Sequence, residues 1–230
     1  MSLPRREWPA VLAGAAAAEG GMGLAQGLGA LTVGYALANI VEPFVAASLI
    51  RGRVDRPDLR RRRDLMTFLA FGVVLGPIVG ATIGATNYEL LGDGGWVRFW
   101  LHWWIGDGLG VLVVGGTILA WLSPGGRRVT LADGLTTGAF VAATLALTAA
   151  EARLRSLAIA YLVVLLLGWT AFRLGTRCVA LVGCALSFAV ATAAAQGFDY
   201  TGLGYRPGLA LAYLQTSIML VLVGAFVLAS

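Results

Sequence analysis

Long apolar stretches, broken by short polar or charged interruptions, run through the chain from Trp8 to Leu228. Cut at those interruptions, the chain gives eight segments: Trp8–Ala18, Leu24–Ile50, Leu65–Ala85, Val97–Leu122, Gly134–Ala150, Leu157–Phe172, Val179–Gln196 and Gly208–Leu228. A bilayer core is crossed by about 20 apolar residues, with a range of ~17–25. The second, third, fourth, seventh and eighth segments meet that length comfortably. The fifth and sixth are marginal, crossing fully or forming a re-entrant pair, and the first is too short alone. The apolar runs are continuous, without the alternation of ~10-residue barrel strands, so they are expected to be helices. The fold class is therefore all-α: a polytopic transmembrane helical bundle of about seven to eight membrane segments, with 1–230 as one integral-membrane domain and no soluble domain or internal repeat.

Composition supports this class and removes others. The chain is 58% hydrophobic and 13% charged, with mean hydropathy +0.81, against roughly 25% charged residues in soluble domains. That argues against a soluble enzyme, a disordered chain or a secreted disulfide scaffold. Cys178 and Cys184 lie in one apolar segment at a spacing that does not share a helix face, and both read as small buried residues.

Charge orders the segments. The 17 basic residues are all Arg, and the formal net charge is +5. Thirteen of them fall on one set of loops: Arg5 and Arg6; Arg51, Arg53, Arg56 and Arg60 to Arg63; Arg127 and Arg128; Arg173 and Arg177. The alternate loops hold four, Arg98, Arg153, Arg155 and Arg206. By the positive-inside rule the richer side is cytoplasmic, and eight crossings put both termini on that side. Within the Arg51–Arg63 run, Arg51, Arg53, Arg60, Arg61, Arg62 and Arg63 read as a cytoplasmic anchor, with contact to anionic lipid secondary. No aromatic residue is interleaved with them, so nucleic acid is not an expected partner. Arg5-Arg6, a short apolar run and Ala15 to Ala18 also resemble a signal peptide with its cleavage site. Trp8-Pro9 is an odd opening for one.

Candidate chemistry lies where polar residues sit in lipid. Asp107 is nine residues past Arg98, roughly 13 Å along a helix. Glu42 is nine residues before Arg51, at a comparable depth, with Asn39 three residues earlier on the same face. An ionised carboxylate at mid-membrane costs ~2.5–3.5 kcal/mol on insertion scales. Asn39, Glu42 and Asp107 are therefore expected to cluster, lining a cavity or hydrogen-bonding between helices. Trp96, Trp100, Trp103 and Trp104 read as an interfacial aromatic belt, with the sharper alternative that Trp103, one turn before Asp107, helps wall a ligand pocket. His102, the only histidine, reads as an interfacial donor, with no partners for a metal.

Gly72, Gly76, Gly80 and Gly84 recur every four residues and predict a small-residue groove for helix packing. Pro77 is expected to bend that helix. Gly106 and Gly110, beside Asp107, read the same way; no strand precedes them, so a dinucleotide loop is not supported. No catalytic triad, Cys/His pair or metal-ligand spacing exists. The expectation is no enzyme activity, no cofactor and no metal.

The stretch Ala38-Asn39-Ile40-Val41-Glu42-Pro43-Phe44-Val45-Ala46-Ala47, the stretch Gly76-Pro77-Ile78-Val79-Gly80-Ala81-Thr82-Ile83-Gly84-Ala85, the Trp103-Trp104-Ile105-Gly106-Asp107-Gly108-Leu109-Gly110 block and Ala171-Phe172-Arg173-Leu174-Gly175-Thr176-Arg177 together resemble the type-one membrane-associated sensor (MASE) domain family. The resemblance runs from about Trp8 to the end. It departs at Gly115-Gly116, where members usually carry a Pro, which implies a looser helix break. It also departs at the start, where members usually have one or two further helices, so Trp8–Gly14 looks like an internal block. The resemblance implies a sensory input module of bacterial membranes. Such a module perceives a small ligand or membrane partner and relays it to a cytoplasmic output, such as a kinase or diguanylate cyclase, in cis or trans. The lipid bilayer, an output protein, a small ligand and a second copy of the chain are its candidate partners. The alternative is a vitamin-type transport membrane subunit, which size and glycine content also fit. A scaffold acting through the glycine grooves is a third reading.

Overall fold

The computed structural model describes residues 4–123, 130–154, 157–195 and 207–230; the side chains of 151–154, 157–161, 193–195 and 207–211 lie outside the description. The side chains of Arg127, Arg128, Arg153, Arg155 and Arg206, used above to orient the chain, fall outside it too. The described residues form a short 3₁₀ turn, Arg5–Glu7, and eight helices with no strand: α1 Trp8–Ala25, α2 Leu31–Arg51, α3 Arg62–Leu91, α4 Trp96–Leu122, α5 Leu131–Leu154, α6 Leu157–Leu174, α7 Thr176–Ala195 and α8 Pro207–Ala229. This is the expected all-α arrangement. By length and composition, α2, α3, α4, the Leu131–Ala150 part of α5 and the Ala212–Ala229 part of α8 are long and apolar enough to cross a membrane.

Local chemistry explains where the helices depart from the apolar pattern. α1 continues through Glu19, Gly20 and Gly21 to Ala25, so a single charge and two glycines do not end it. α5 starts before Gly134 because Thr130 and Asp133 form a capping box. The Thr130 N–H donates to Asp133 Oδ2 at 2.9 Å and the Asp133 N–H to Thr130 Oγ1 at 3.2 Å. With that start, α5 reaches crossing length, which the charge boundaries alone made marginal. α7, expected to cross comfortably, has a shorter apolar stretch, Thr176–Thr192.

Two helices contain π-helical stretches, Leu69–Leu75 in α3 and Val111–Gly115 in α4. The first ends at Gly76-Pro77, where Gly76 N–H bonds Phe71 O, five residues back. Proline has no N–H to give an α-helical ladder. The widened turn before Pro77 accommodates it without ending the helix. The second stretch occupies the Gly115-Gly116 position.

The chain falls into two compact units. The first comprises Met1–Arg56 and Met66–Gly108. In it α1 and α2 form a hairpin whose turn uses Gly27 and Gly29 at positive φ. Trp8 meets Phe44 edge-on at 6.1 Å and lies 5.7 Å from the Arg51 guanidinium. The Arg53 guanidinium lies 4.1 Å from the Phe71 ring centroid. α2 also runs against α3, where the Asn87 side-chain amide donates to Leu31 O at 2.9 Å.

The second unit comprises Pro57–Leu65 and Leu109–Ser230. α7 is central to it and touches α5, α6, α8 and the end of α4. Val179, Val182, Leu167, Leu222 and Phe226 are buried in its core, and Leu222 lies where a side chain at Gly183 would go. Arg177 donates to Ala120 O at 3.1 Å and Ser123 O at 3.3 Å, capping the last turn of α4, whose carbonyls lack helical partners. Ser123 Oγ contacts Pro57 O at 3.1 Å. Outward-facing apolar side chains such as Phe172, Leu131 and Phe188 are exposed, as expected of a surface solvated by acyl chains.

The arginine run before α3 is held by two aspartates. Arg60 grips Asp58 bidentately, Nε to Oδ1 at 2.9 Å and Nη2 to Oδ2 at 2.7 Å. The Asp64 carboxylate accepts the Asp58 N–H at 3.1 Å. Burial alone would raise the Asp58 carboxyl. The bonds from the Arg60 side chain and backbone and the nearby Arg61 charge outweigh it and hold the group below the ordinary aspartate value. A depressed carboxyl contributes stability above its unfolded value and loses it as pH falls through the folded value. Asp58→Asn should therefore lower stability by about 1 kcal/mol at pH 7. In melting curves of the detergent-solubilised chain, the gap between variant and parent should close only below the ordinary aspartate range.

Candidate functional site

The first unit brings Glu42, Trp103 and Asp107 together. α2 presents Glu42 from a stretch of small residues, and α4 presents Trp103 and Asp107 one turn apart. Glu42 is 7% exposed. Its carboxyl and that of Asp107 interact directly, and the Asp107 carboxyl also faces the Trp103 indole. Glu42 Oε2 and Trp103 Nε1 are buried without a hydrogen-bond partner of ordinary geometry. Unpaired buried polar atoms are costly, and in apolar surroundings two facing carboxyls cannot both ionise cheaply.

The glycine groove of α3 makes this approach possible. A side chain at Gly80 would overlap Glu42 Oε2 and come within 3.1 Å of its Cδ. One at Gly84 would lie 2.6 Å and 2.7 Å from Trp103 ring carbons. At Gly76 it would meet Ala46 Cβ at 3.0 Å. Gly72 is buried nearer Phe68 and Ile50. The four-residue repeat is thus a track on which α2 and α4 rest their functional side chains. The other two glycines expected to pack behave differently. Gly106 is half-buried, while Gly110 is exposed, with open space at its Cβ position. Gly110 is therefore not a packing residue, because its face of α4 has no neighbour.

Asn39 sits one turn before Glu42, half-buried, and no hydrogen bond joins it to the carboxyl pair among the described contacts. In its place the structure adds an aromatic wall. Trp103 lies 5.3 Å from Tyr35 and 5.6 Å from Phe99; Phe99 stacks on Tyr88 at 4.3 Å. Sequence reasoning passed over Tyr35, Tyr88 and Phe99. Their signal is spacing: Phe99, Trp103 and Asp107 recur every four residues, one stripe of α4.

Trp96, Trp100 and Trp104 form the adjacent stripe, and they are not simply a belt. The Trp96 indole N–H donates to Thr86 Oγ1 at 3.2 Å, Trp100 to Thr82 Oγ1 at 3.1 Å and Trp104 to Val74 O at 3.3 Å. They staple α4 to α3 in antiparallel register. The Glu89 carboxylate accepts the Trp96 N–H at 3.0 Å at the start of α4. His102 Nδ1 lies 2.7 Å from Arg98 O, a local contact of its own helix. Among the described residues no group of three His, Cys, Asp or Glu side chains could hold a metal ion.

Of the anchor arginines, Arg61, Arg62 and Arg63 are exposed, Arg53 is exposed over Phe71, and Arg51 and Arg60 are half-buried against Trp8 and Asp58.

The packing geometry sets an order of sensitivity. Gly84→Ala presses on a rigid indole and should destabilise the chain by about 1–3 kcal/mol, the usual cost of overpacking. Gly80→Ala overlaps the Glu42 carboxyl end and comes within 3.2 Å of its Cβ, but a glutamate has more rotatable bonds than an indole, so it should cost less. Gly110→Ala should change little. Thermal melting of the three variants in detergent checks the order, and equal effects at 84 and 110 would overturn it.

No curated protein and no solved structure matches the chain. The MASE1 family profile matches residues 1–229. Over essentially its whole length, and with the helical membrane architecture and the Asn/Glu and Gly-Asp blocks in place, the chain belongs to the MASE1 family of membrane-associated sensor domains.

Proposed function

We propose that the chain is a non-catalytic sensory input module whose signal site is the Glu42–Trp103–Asp107 cluster, with Asn39 at its edge. One observation carries the reading: two carboxyls interact directly within apolar helices with a buried indole N–H turned to one of them, and Glu42 Oε2 is buried without a hydrogen-bond partner. Such atoms are available to a small ligand, or to a membrane partner that offers a donor to the carboxyls and an acceptor to the indole. The aromatic wall of Tyr35, Phe99 and Trp103 would shape the pocket for it. A ligand shifts an output only by its differential affinity for two states of the bundle. The close fit of Glu42 and Trp103 on α3 supports two-state behaviour, because a track without slack cannot deform by small degrees.

The arginine-rich side is the cytoplasmic side in this reading, in a bacterial plasma membrane. The output is a kinase, a diguanylate cyclase or a similar signalling protein, joined beyond α8 or docked as a separate chain. The charge asymmetry of the loops and the family support this assignment.

The test is a chimera of the chain with a histidine kinase output, reconstituted in membranes that give a measurable response. Asp107→Asn and Glu42→Gln keep the shape of each side chain and remove its charge. Each should reduce the response by tenfold or more, about 1.4 kcal/mol of lost coupling, without lowering the amount of folded protein. Full response in both variants would reduce the cluster to a structural role.

A further inference from the structure

The second unit contains two cavities that meet at one residue. One, about 440 Å³, opens at the start of α7 and is lined by Arg60, Arg173, Arg177 and Asp133, by the first turn of α7 and by Leu228–Ser230 of α8. The other, about 560 Å³, is almost wholly apolar and runs between α5, α7 and Trp121. Cys178 lines both, and Thr137 Oγ1 lies 3.1 Å from its Sγ at the junction.

We propose that these two cavities form one binding site for an anionic phospholipid. Its phosphate would lie among the arginines and one acyl chain in the apolar groove. The site does not depend on the sensory reading, since it shares no residue with the Glu42 cluster.

Three features argue for this occupant. The charge is right. Arg60, Arg173 and Arg177 line the polar cavity with Asp133 and Ser230; Asp58 pairs with Arg60, and Asp133 Oδ2 already accepts from the Thr130 N–H and hydroxyl at 2.9 and 2.7 Å, so an anion is met chiefly by Arg173 and Arg177. Arg60 is committed to Asp58 and Arg177 to the end of α4, so both are fixed in place. Arg173 lies 5.9 Å from the Trp169 ring. The backbone adds to the charge. α6 ends at Gly175, at φ +78°, and α7 begins at the next residue. The first N–H groups of α7, which no helical carbonyl satisfies, therefore belong to the cavity lining.

The length is right as well. The apolar groove follows α7 from Cys178 to Phe188, ten residues, or about 15 Å at ~1.5 Å per residue. That is half of the ~30 Å hydrocarbon core, the reach of one acyl chain in one leaflet. A polar cavity at the helix start and an apolar groove one leaflet long reproduce the layout of a phospholipid. Phe188, at the far end, is 74% exposed, so the groove opens sideways, where a tail can enter from the bilayer. The alternative occupant of the polar cavity, an acidic protein segment, leaves the groove unexplained.

The test uses the full chain in mild detergent, with native mass spectrometry after exchange against dioleoyl phosphatidylglycerol, dioleoyl phosphatidylcholine or inorganic phosphate. One phosphatidylglycerol should be retained per chain in preference to phosphatidylcholine. Arg173→Gln, which touches no cap or salt bridge, should lower that preference about fivefold, the contribution expected of one basic residue at a lipid surface. Gly138 lines the groove and has open space at its Cβ position, so Gly138→Leu projects from an open position into the groove. It should reduce retention of both lipids while leaving the melting temperature unchanged. Equal retention of the two lipids by the parent would overturn the site, as would a preference that survives Arg173→Gln. Stabilisation by inorganic phosphate equal to that by the lipid, with no effect of Gly138→Leu, would mean a free-phosphate site and would also overturn it.

Discussion

Lipid supplies no hydrogen-bond partners, so every polar atom in the hydrocarbon layer must find one within the protein. Many of the described hydroxyls solve the problem locally. Thr82, Thr86, Thr148, Thr170, Thr192 and Thr216 each donate to the carbonyl four residues back, at 2.7–2.8 Å. That leaves their oxygens free to accept. Thr82 and Thr86 use the spare capacity to take the indole N–H groups of Trp100 and Trp96. One threonine thus serves its own helix and a neighbour, and two tryptophans are satisfied without any added polar group. The same economy appears where Arg177 caps α4 and where Asn87 reaches Leu31 O.

Among the described residues Thr32 Oγ1, Arg51 Nε, Thr144 Oγ1 and Ser187 Oγ are also buried without a partner, so what sets the Glu42 cluster apart is that its atoms belong to two carboxyls facing each other beside an indole. A structural role alone is a weak account of it. Asn or Gln would bond across helices without two carboxyls meeting in an apolar setting, and a Leu at 42 would lie on the glycine track with no polar cost. Buried ionisable residues in membrane segments mark functional sites by default.

Much of this was legible in the sequence, and the reasons for the rest are physical. Apolar length located the helices, because the bilayer fixes how much chain is needed to cross it. Depth arithmetic from Arg51 and Arg98 placed Glu42 and Asp107 at one level, and the two carboxyls do meet. Helix ends were less legible. The Thr130–Asp133 capping box and the continuation of α1 through Glu19 depend on local bonding that hydropathy does not register. The π-helical stretches escaped because the change of period covers seven and five residues. The tryptophans were read by their preference for interfaces, a statistical property. Their spacing of four, matched by Thr82 and Thr86 on α3, was the better signal, because it specifies a partner. Asn39 was assigned to the cluster by its spacing to Glu42 alone. A shared helix face gives proximity along one helix and says nothing of which residues on other helices complete the set.

One π-helical stretch lies in the first unit, in α3, and the other, in α4, begins just past that unit's end at Gly108. In α3 the stretch ends at Gly76, where Ala46 and Glu42 rest on the helix, and its Val74 carbonyl takes the Trp104 indole. In α4 the stretch begins four residues after Asp107. A π turn holds one more residue than an α turn, so moving it along a helix rotates the residues on one side by about 100° without breaking the helix. The helix that bears Asp107 and the helix on which Glu42 rests therefore each carry such a turn. A ligand bound between Glu42, Trp103 and Asp107 would act on side chains close to a π turn in α3 and in α4. The glycine track, by contrast, holds its register tightly. A close contact surface with a π turn next to it is an arrangement that converts a small change in contact into a discrete rotation.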